Sequence, residues 1–217
     1  MQENEFQTWL AQHAPNALGR AIVPQDGCSE ERISAAQTRF GVAIPSSLRT
    51  LYQQLGECAM VMRSFQRFAP PEEWRMEGGR LMFLEENQLV CEWGVDAAGQ
   101  VWMLVDDADA PWHPEALNLP DFLTALLPYQ LAQGGWPLCG STVVKRAEYP
   151  AELEAIAQEL DWPLIVKHNG LTIYGKGSAM LWALDPLAEA DSVRLYLNAL
   201  REDEFEALTE QVGFVEL

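Results

Sequence analysis

Between Arg80 and Lys145 the chain has no lysine or arginine. Over the same interval it carries nine acids: Glu85, Glu86, Glu92, Asp96, Asp106, Asp107, Asp109, Glu115 and Asp121. The whole chain of 217 residues has 14 basic and 32 acidic residues, a net charge of −18, so this interval holds half of the excess. Such a balance argues against nucleic acid and anionic membrane as partners, because both need positive charge to displace counterions. It favours a cationic partner, or a plain solvated acidic surface. Other absences narrow the reading further. No apolar run approaches the 18 or so residues of a membrane-spanning helix. The N-terminus has neither a basic n-region nor an apolar h-region, so no signal peptide is expected and the expected address is the cytoplasm. The cysteines, Cys28, Cys58, Cys91 and Cys139, form no CxxC pair, and there are only three histidines. Four reduced thiols are expected, and no zinc site. A Gly-x-Ser-x-Gly elbow is absent. Gly175-Lys176-Gly177-Ser178 lacks the spacing of a phosphate loop and sits in a hairpin pattern.

What the chain does have is a strong double-strand pattern over residues 85–113. In the first strand Leu89, Cys91 and Trp93 share one face, and Val90 and Glu92 the other. Residues 94–99 supply turn chemistry. The second strand, 101–105, is apolar on both faces, which predicts a strand covered on both sides and central to its sheet. It breaks off at Asp106-Asp107-Ala108-Asp109, followed by Pro111-Trp112-His113.

Around this hairpin the periodicities alternate between helix and strand. Residues 3–13 read as a short amphipathic helix ending near Pro15. A helix over 30–40 has Ser29 to start it and Gly41 to stop it. Leu48, Leu51, Tyr52 and Leu55 define a third helix, and 58–62 reads as a strand. Residues 63–79 read as irregular, with Arg63, Arg67 and Arg75 able to pair with the acids downstream and Trp74 anchoring a turn. A short strand over 81–84 follows. Residues 112–119 read as extended or an edge strand, and 120–131 as a leucine-rich helix. Beyond it come a linker or crossover strand at 141–144, a helix over 150–160, and strands at 163–167, 171–174 and 180–184. Asn169-Gly170 marks a tight hairpin between the first two of these. Helices over 192–200 and 202–213 end the chain. The expected class is α+β with a mixed or antiparallel sheet. Its divisions are an N-terminal helix (1–27), a first domain (28–139) and a C-terminal α+β extension (140–217).

The order of motifs over residues 28–134 resembles the SUKH superfamily, whose members include bacterial immunity proteins and fungal regulators of cell-wall synthesis. The residues that carry the likeness are Phe40-Gly41 closing a helix, the Ile44-Pro45 step, and a helix with Leu48, Leu51, Tyr52 and Leu55. The Glu86-Asn87-Gln88 to Val90-Cys91-Glu92-Trp93-Gly94 strand, the Val101-Trp102 strand, the acidic break and the Pro-plus-Leu helix complete it. The chain departs from the pattern at Glu57-Cys58-Ala59, where many relatives carry Asn-Gly-Gly. The resemblance implies a SUKH-like domain and a protein that binds other proteins rather than an enzyme. Its immunity members act by direct association with a toxin.

Two functions are implied by the resemblance and a third is left open by the residues themselves. The first is a non-enzymatic module that neutralises a basic, nuclease-type toxin. The second is an intracellular scaffold or regulator. The third is a metal-assisted hydrolase built on Asp106, Asp107, Asp109 and His113. The last cluster lacks the glycine and the distal glutamate of a calcium loop, so strand-end turn acids are the simpler expectation. No catalytic residue, metal ligand or cofactor is assigned. The expected partner-binding residues are Glu85, Glu86, Asp106, Asp107, Asp109 and Trp112, with acids to steer a basic protein and an indole to hold it.

Overall fold

A computed structural model describes residues 1–107, 110–185 and 190–217. The chain is α+β, with helices packed on two antiparallel sheets. Helix α1 (Glu3–Leu18) buries Phe6, Leu10, Ala14 and Leu18, one stripe at a spacing of four. The stripe explains why α1 runs past Pro15, where the sequence suggested a stop: burial of Leu18 offsets the backbone bond that proline cannot make. Gly19, at φ 65°, then closes the helix. Helix α2 (Glu30–Phe40) ends at Gly41, also left-handed, and α3 (Ser46–Leu55) faces the core through Leu48, Leu51, Tyr52 and Leu55.

Residues 59–62 form a helical turn, α4 (Ala59–Met62), and not the expected strand. The Cys58 carbonyl accepts from the amides of both Val61 and Met62, and those two adjacent side chains are both buried. A strand would have pointed one of them away from the core.

The first sheet consists of β1 (Arg67–Phe68), β2 (Arg75–Glu77), β3 (Arg80–Glu85), β4 (Cys91–Val95), β5 (Gln100–Val105) and β6 (His113–Asn118). Its order is β1-β3-β4-β5-β6, with β2 also paired to β3. One face meets α1, α2, α3 and α5 (Leu119–Gln130) through Leu81, Phe83, Val95 and Val101. The expectation that residues 101–105 are central and covered on both faces is not met. Strand β5 is next to the edge; Val101 is buried, Trp102, Met103 and Leu104 are half-buried, and Val105 is exposed. Its apolar outer face lacks a covering layer because the second half of the chain builds a sheet of its own.

That second sheet contains β7 (Leu138–Lys145), β8 (Leu164–His168), β9 (Leu171–Lys176), β10 (Ala179–Leu184), β11 (Ser192–Ala199) and β12 (Val215–Glu216), in the order β12-β7-β11-β10-β9-β8. Residues 192–199 are a strand, where a helix was expected. Val193, Leu195 and Leu197 are buried in alternation with the exposed Ser192 and Arg194, a period of two, and the strand pairs with β7 from Ser192–Lys145 to Ala199–Leu138. Helices α6 (Tyr149–Glu159) and α7 (Glu202–Val212) cover one face of this sheet. Its other face, with Val166, Ile173, Met180 and Trp182, packs on Leu131, Ala132 and Trp136 at the end of α5.

Helix α5 is therefore the common wall. Leu119, Leu123, Leu126 and Leu127 belong to the first core, while Ala125 and Tyr129 reach the second. A π-helical turn (Leu131–Gly135) ends it. There a Cβ on Gly134 would lie 2.3 Å from the Ser64 carbonyl oxygen, so only glycine allows the backbone approach. Among the described residues no helix is long and apolar enough to cross a membrane.

Candidate functional site

The outer face of the first sheet is where the charges collect. Strand register aligns Arg67, Glu85, Glu92 and Leu104 in one row across β1, β3, β4 and β5. Two positions further along, Arg75, Met82, Gly94 and Trp102 form the next row on the same face. The arginines of 67–75 do pair with acids downstream: Arg67 with Glu85 (and Glu73), Arg75 with Glu92 and, at 3.3 Å, with Glu77. The Glu92 carboxylate holds the Arg75 guanidinium above its ordinary pKa.

Beyond these pairs the face sinks into an open polar hollow of about 450 Å³, bordered by Arg75, Glu77, Glu92, Leu104, Asp106, Asp107 and Trp112. Four carboxylates there stand against one guanidinium. Asp106 and Asp107 lie just past the end of β5, fixed by backbone bonds from Asp106 N–H to the Val90 carbonyl (2.9 Å) and from Asp107 N–H to the Val105 carbonyl (2.8 Å). Their side chains are left in water.

Trp112 is held in place by an aromatic clamp. The Arg80 guanidinium lies 4.4 Å from the Trp112 ring centre and 4.2 Å from that of Trp102, so the cation is sandwiched between two indoles. Arg80 Nη1 donates to the Gly78 carbonyl (2.7 Å), and Trp102 Nε1 donates to Asp96 Oδ2 (2.9 Å). Burial pushes the Asp96 carboxyl up, but the bonds from Trp102 and from the amides of Gln100 and Ala98 outweigh it, and its pKa lies below the usual value.

The six expected partner-binding residues fall into separate groups. Asp106, Asp107 and Trp112 converge on the hollow. Glu85 lies on the same face, but Arg67 neutralises it. Glu86 is in the 86–90 loop, where its Oε2 accepts the Gln88 N–H at 2.6 Å and so caps its own turn. Asp109 lies outside the described residues. Leu89 and Val90 belong to the same loop and not to β4, Leu89 taking φ 61°. Sequence reasoning did not place Glu77, Glu92 or Arg75 at the partner site. Glu92 was already placed opposite Cys91 and Trp93 by strand alternation. The 75–77 segment was read as irregular because a three-residue strand is too short to show a period.

Trp74 and Trp136 are both buried and pin their segments to the core. Trp74 packs edge-on against Tyr52 with ring centres 4.9 Å apart and donates to the Ala69 carbonyl (2.9 Å), and Trp136 donates to the Ala17 carbonyl (2.9 Å). His113 is exposed at the start of β6, paired in register with Met103. Among the described residues no three His, Cys, Asp or Glu side chains gather as a metal-binding group. No family model matches this chain, and no curated protein or solved structure matches it either.

Proposed function

We propose that this chain is a non-enzymatic binding protein that receives a basic protein on the outer face of its first sheet, in the manner of the SUKH immunity proteins that residues 28–134 resemble. The observation that carries the reading is the hollow at the end of β5, where Glu77, Glu92, Asp106 and Asp107 outnumber Arg75 beside a clamped Trp112. A lysine or arginine side chain suits such a hollow. Surplus carboxylates attract it, and a rigid indole costs little entropy to bury. An acidic face also steers a cationic surface during encounter. A nuclease toxin has that surface, because it must grip phosphates. The protein would inhibit by covering that surface, and no bond need be made or broken.

The test screens basic nuclease domains for association, beginning with any that is encoded beside this chain. Stopped-flow association should slow by about tenfold or more between low and physiological salt, since charges further apart than ~8 Å are then screened. Asp106→Asn with Asp107→Asn should slow association and leave dissociation nearly unchanged, whereas Trp112→Ala should mainly speed dissociation. Equal association rates at both salts, together with full protection of cells by the double Asn variant, would remove this face from the function.

A further inference from the structure

The geometry points to a second binding site, independent of the acidic face: a cleft between the two lobes that takes a medium-chain carboxylate, tail inward, with its anionic head at Lys176. The cleft measures about 370 Å³ and lies between α1, the end of α5 and the β8–β9–β10 hairpins. This is within the range of small-molecule pockets, roughly 300–1,000 Å³. Its floor is apolar and buried, with Leu10, Leu18, Leu131, Trp136 and Met180. Two ring nitrogens next to it already have partners: Trp136 Nε1 donates to the Ala17 carbonyl at 2.9 Å, and His13 Nδ1 lies 2.7 Å from the Trp9 carbonyl. Trp9 and His13 stack at 4.7 Å, so they turn ring surface to their neighbours. A floor built of the Leu10, Leu18, Leu131 and Met180 side chains favours a hydrocarbon body. A space of about 370 Å³ has room for a small organic ligand, here a chain on the order of ten carbons.

The head group follows from charge. In a chain with 32 acids and 14 bases, the residues bordering this cleft include no acid, and Lys176 is their one formal charge. Lys176 and His13 are exposed at its mouth, beside Leu164, an apolar side chain left 49% exposed. The Lys176 ammonium lies 3.0 Å from Asp161, whose side chain is 93% exposed. Water screens so open a pair, and an entering carboxylate can share the ammonium.

The experiment is calorimetry and tryptophan fluorescence with dodecanoate below its micelle concentration, with dodecanol and dodecylammonium as controls. Dodecanoate should bind saturably at one site and more tightly than dodecylammonium. Lys176→Gln, a change at an exposed position, should weaken dodecanoate about tenfold and leave dodecanol unchanged. Ala17→Phe should fill the cleft and abolish binding of both. If circular dichroism finds that variant unfolded, Ile165→Trp closes the cleft from the opposite wall. Three results each overturn the proposal: no saturable binding of dodecanoate, dodecylammonium binding as tightly as dodecanoate, or undiminished binding to a folded, filled variant. None of them bears on the acidic face, whose test is association with a basic protein.

Discussion

Replacing Gln130 by Met should cost this protein about 3–5 kcal/mol. Gln130 is fully buried at the end of α5. Its Nε2 donates to the Val61 carbonyl (3.0 Å) and to the Gln66 carbonyl (2.7 Å), and its Oε1 accepts the Gln66 N–H (2.6 Å). One amide thus satisfies three backbone groups of the α4–β1 connection. Methionine keeps the length and the apolar stem but leaves all three buried and unpaired. Each orphaned group costs about 1–3 kcal/mol, with part of it recovered by relaxation or an entering water. For a chain of this size the loss corresponds to about 6–20 °C in Tm, at 2–4 °C per kcal/mol. Urea unfolding followed by fluorescence measures it. Gln130→Glu supplies a sign check. A carboxylate would face two carbonyl oxygens, so the folded state favours the protonated acid and raises its pKa. Stability of this variant should be greatest below about pH 4.3, the unfolded value, and fall as pH rises through the folded one. A Met variant destabilised by less than about 1 kcal/mol, with an unchanged denaturant slope, would refute the reasoning. The consequence reaches the acidic face, because Gln66 Oε1 in turn accepts the Asn87 N–H (2.9 Å) and holds the loop that carries Glu86.

Burial along β5 predicts a gradient. Val101→Asp, at 0% exposure on the core face, should cost about 4 kcal/mol or more, whereas Leu104→Asp, half-buried on the outer face, should cost about 1 kcal/mol, and equal effects in thermal melts would mean the outer face is covered. Arg80→Met should lose about 1–2 kcal/mol from the paired cation–π contacts and free the Trp112 ring, shifting the emission spectrum; an unchanged spectrum and stability would leave the clamp without energetic weight. Burial, together with the field of Glu86, Glu115 and Glu92, pushes the Cys91 thiol up to about 11. The folded state therefore holds this proton more tightly than the unfolded chain. The associated stability is complete below the ordinary thiol range near 8.5 and drains away as pH rises toward 11. Absorbance at thiolate wavelengths should show Cys91 titrating late in the folded protein, and a midpoint near 8.5 would contradict its burial.

The α+β class, the helix over residues 30–40, the leucine-rich helix, and the Asn169-Gly170 hairpin were all legible in the sequence. Each depends on contacts between near neighbours: a period of 3.6 or 2, a capping glycine, or a turn that needs positive φ. The pairing of Arg67 with Glu85 and of Arg75 with Glu92 was legible as well, as a cluster of bases ahead of a run of acids. Of the candidate site, Asp106, Asp107 and Trp112 were legible as a break in an apolar strand. Three things were decided only when distant segments met. Residues 192–199 became a strand because β7 and β10 offered two open edges, and pairing along both outweighs any local preference. The outer face of β5 stayed open because the second half of the chain formed a separate sheet, a choice made by the two-sided packing of α5. The acidic hollow itself joins Glu77 and Arg75 from a three-residue strand to Asp106 and Asp107 from the end of another. No local pattern holds that information, because the pairings of β2 with β3, β3 with β4 and β4 with β5 together bring those charges to one place.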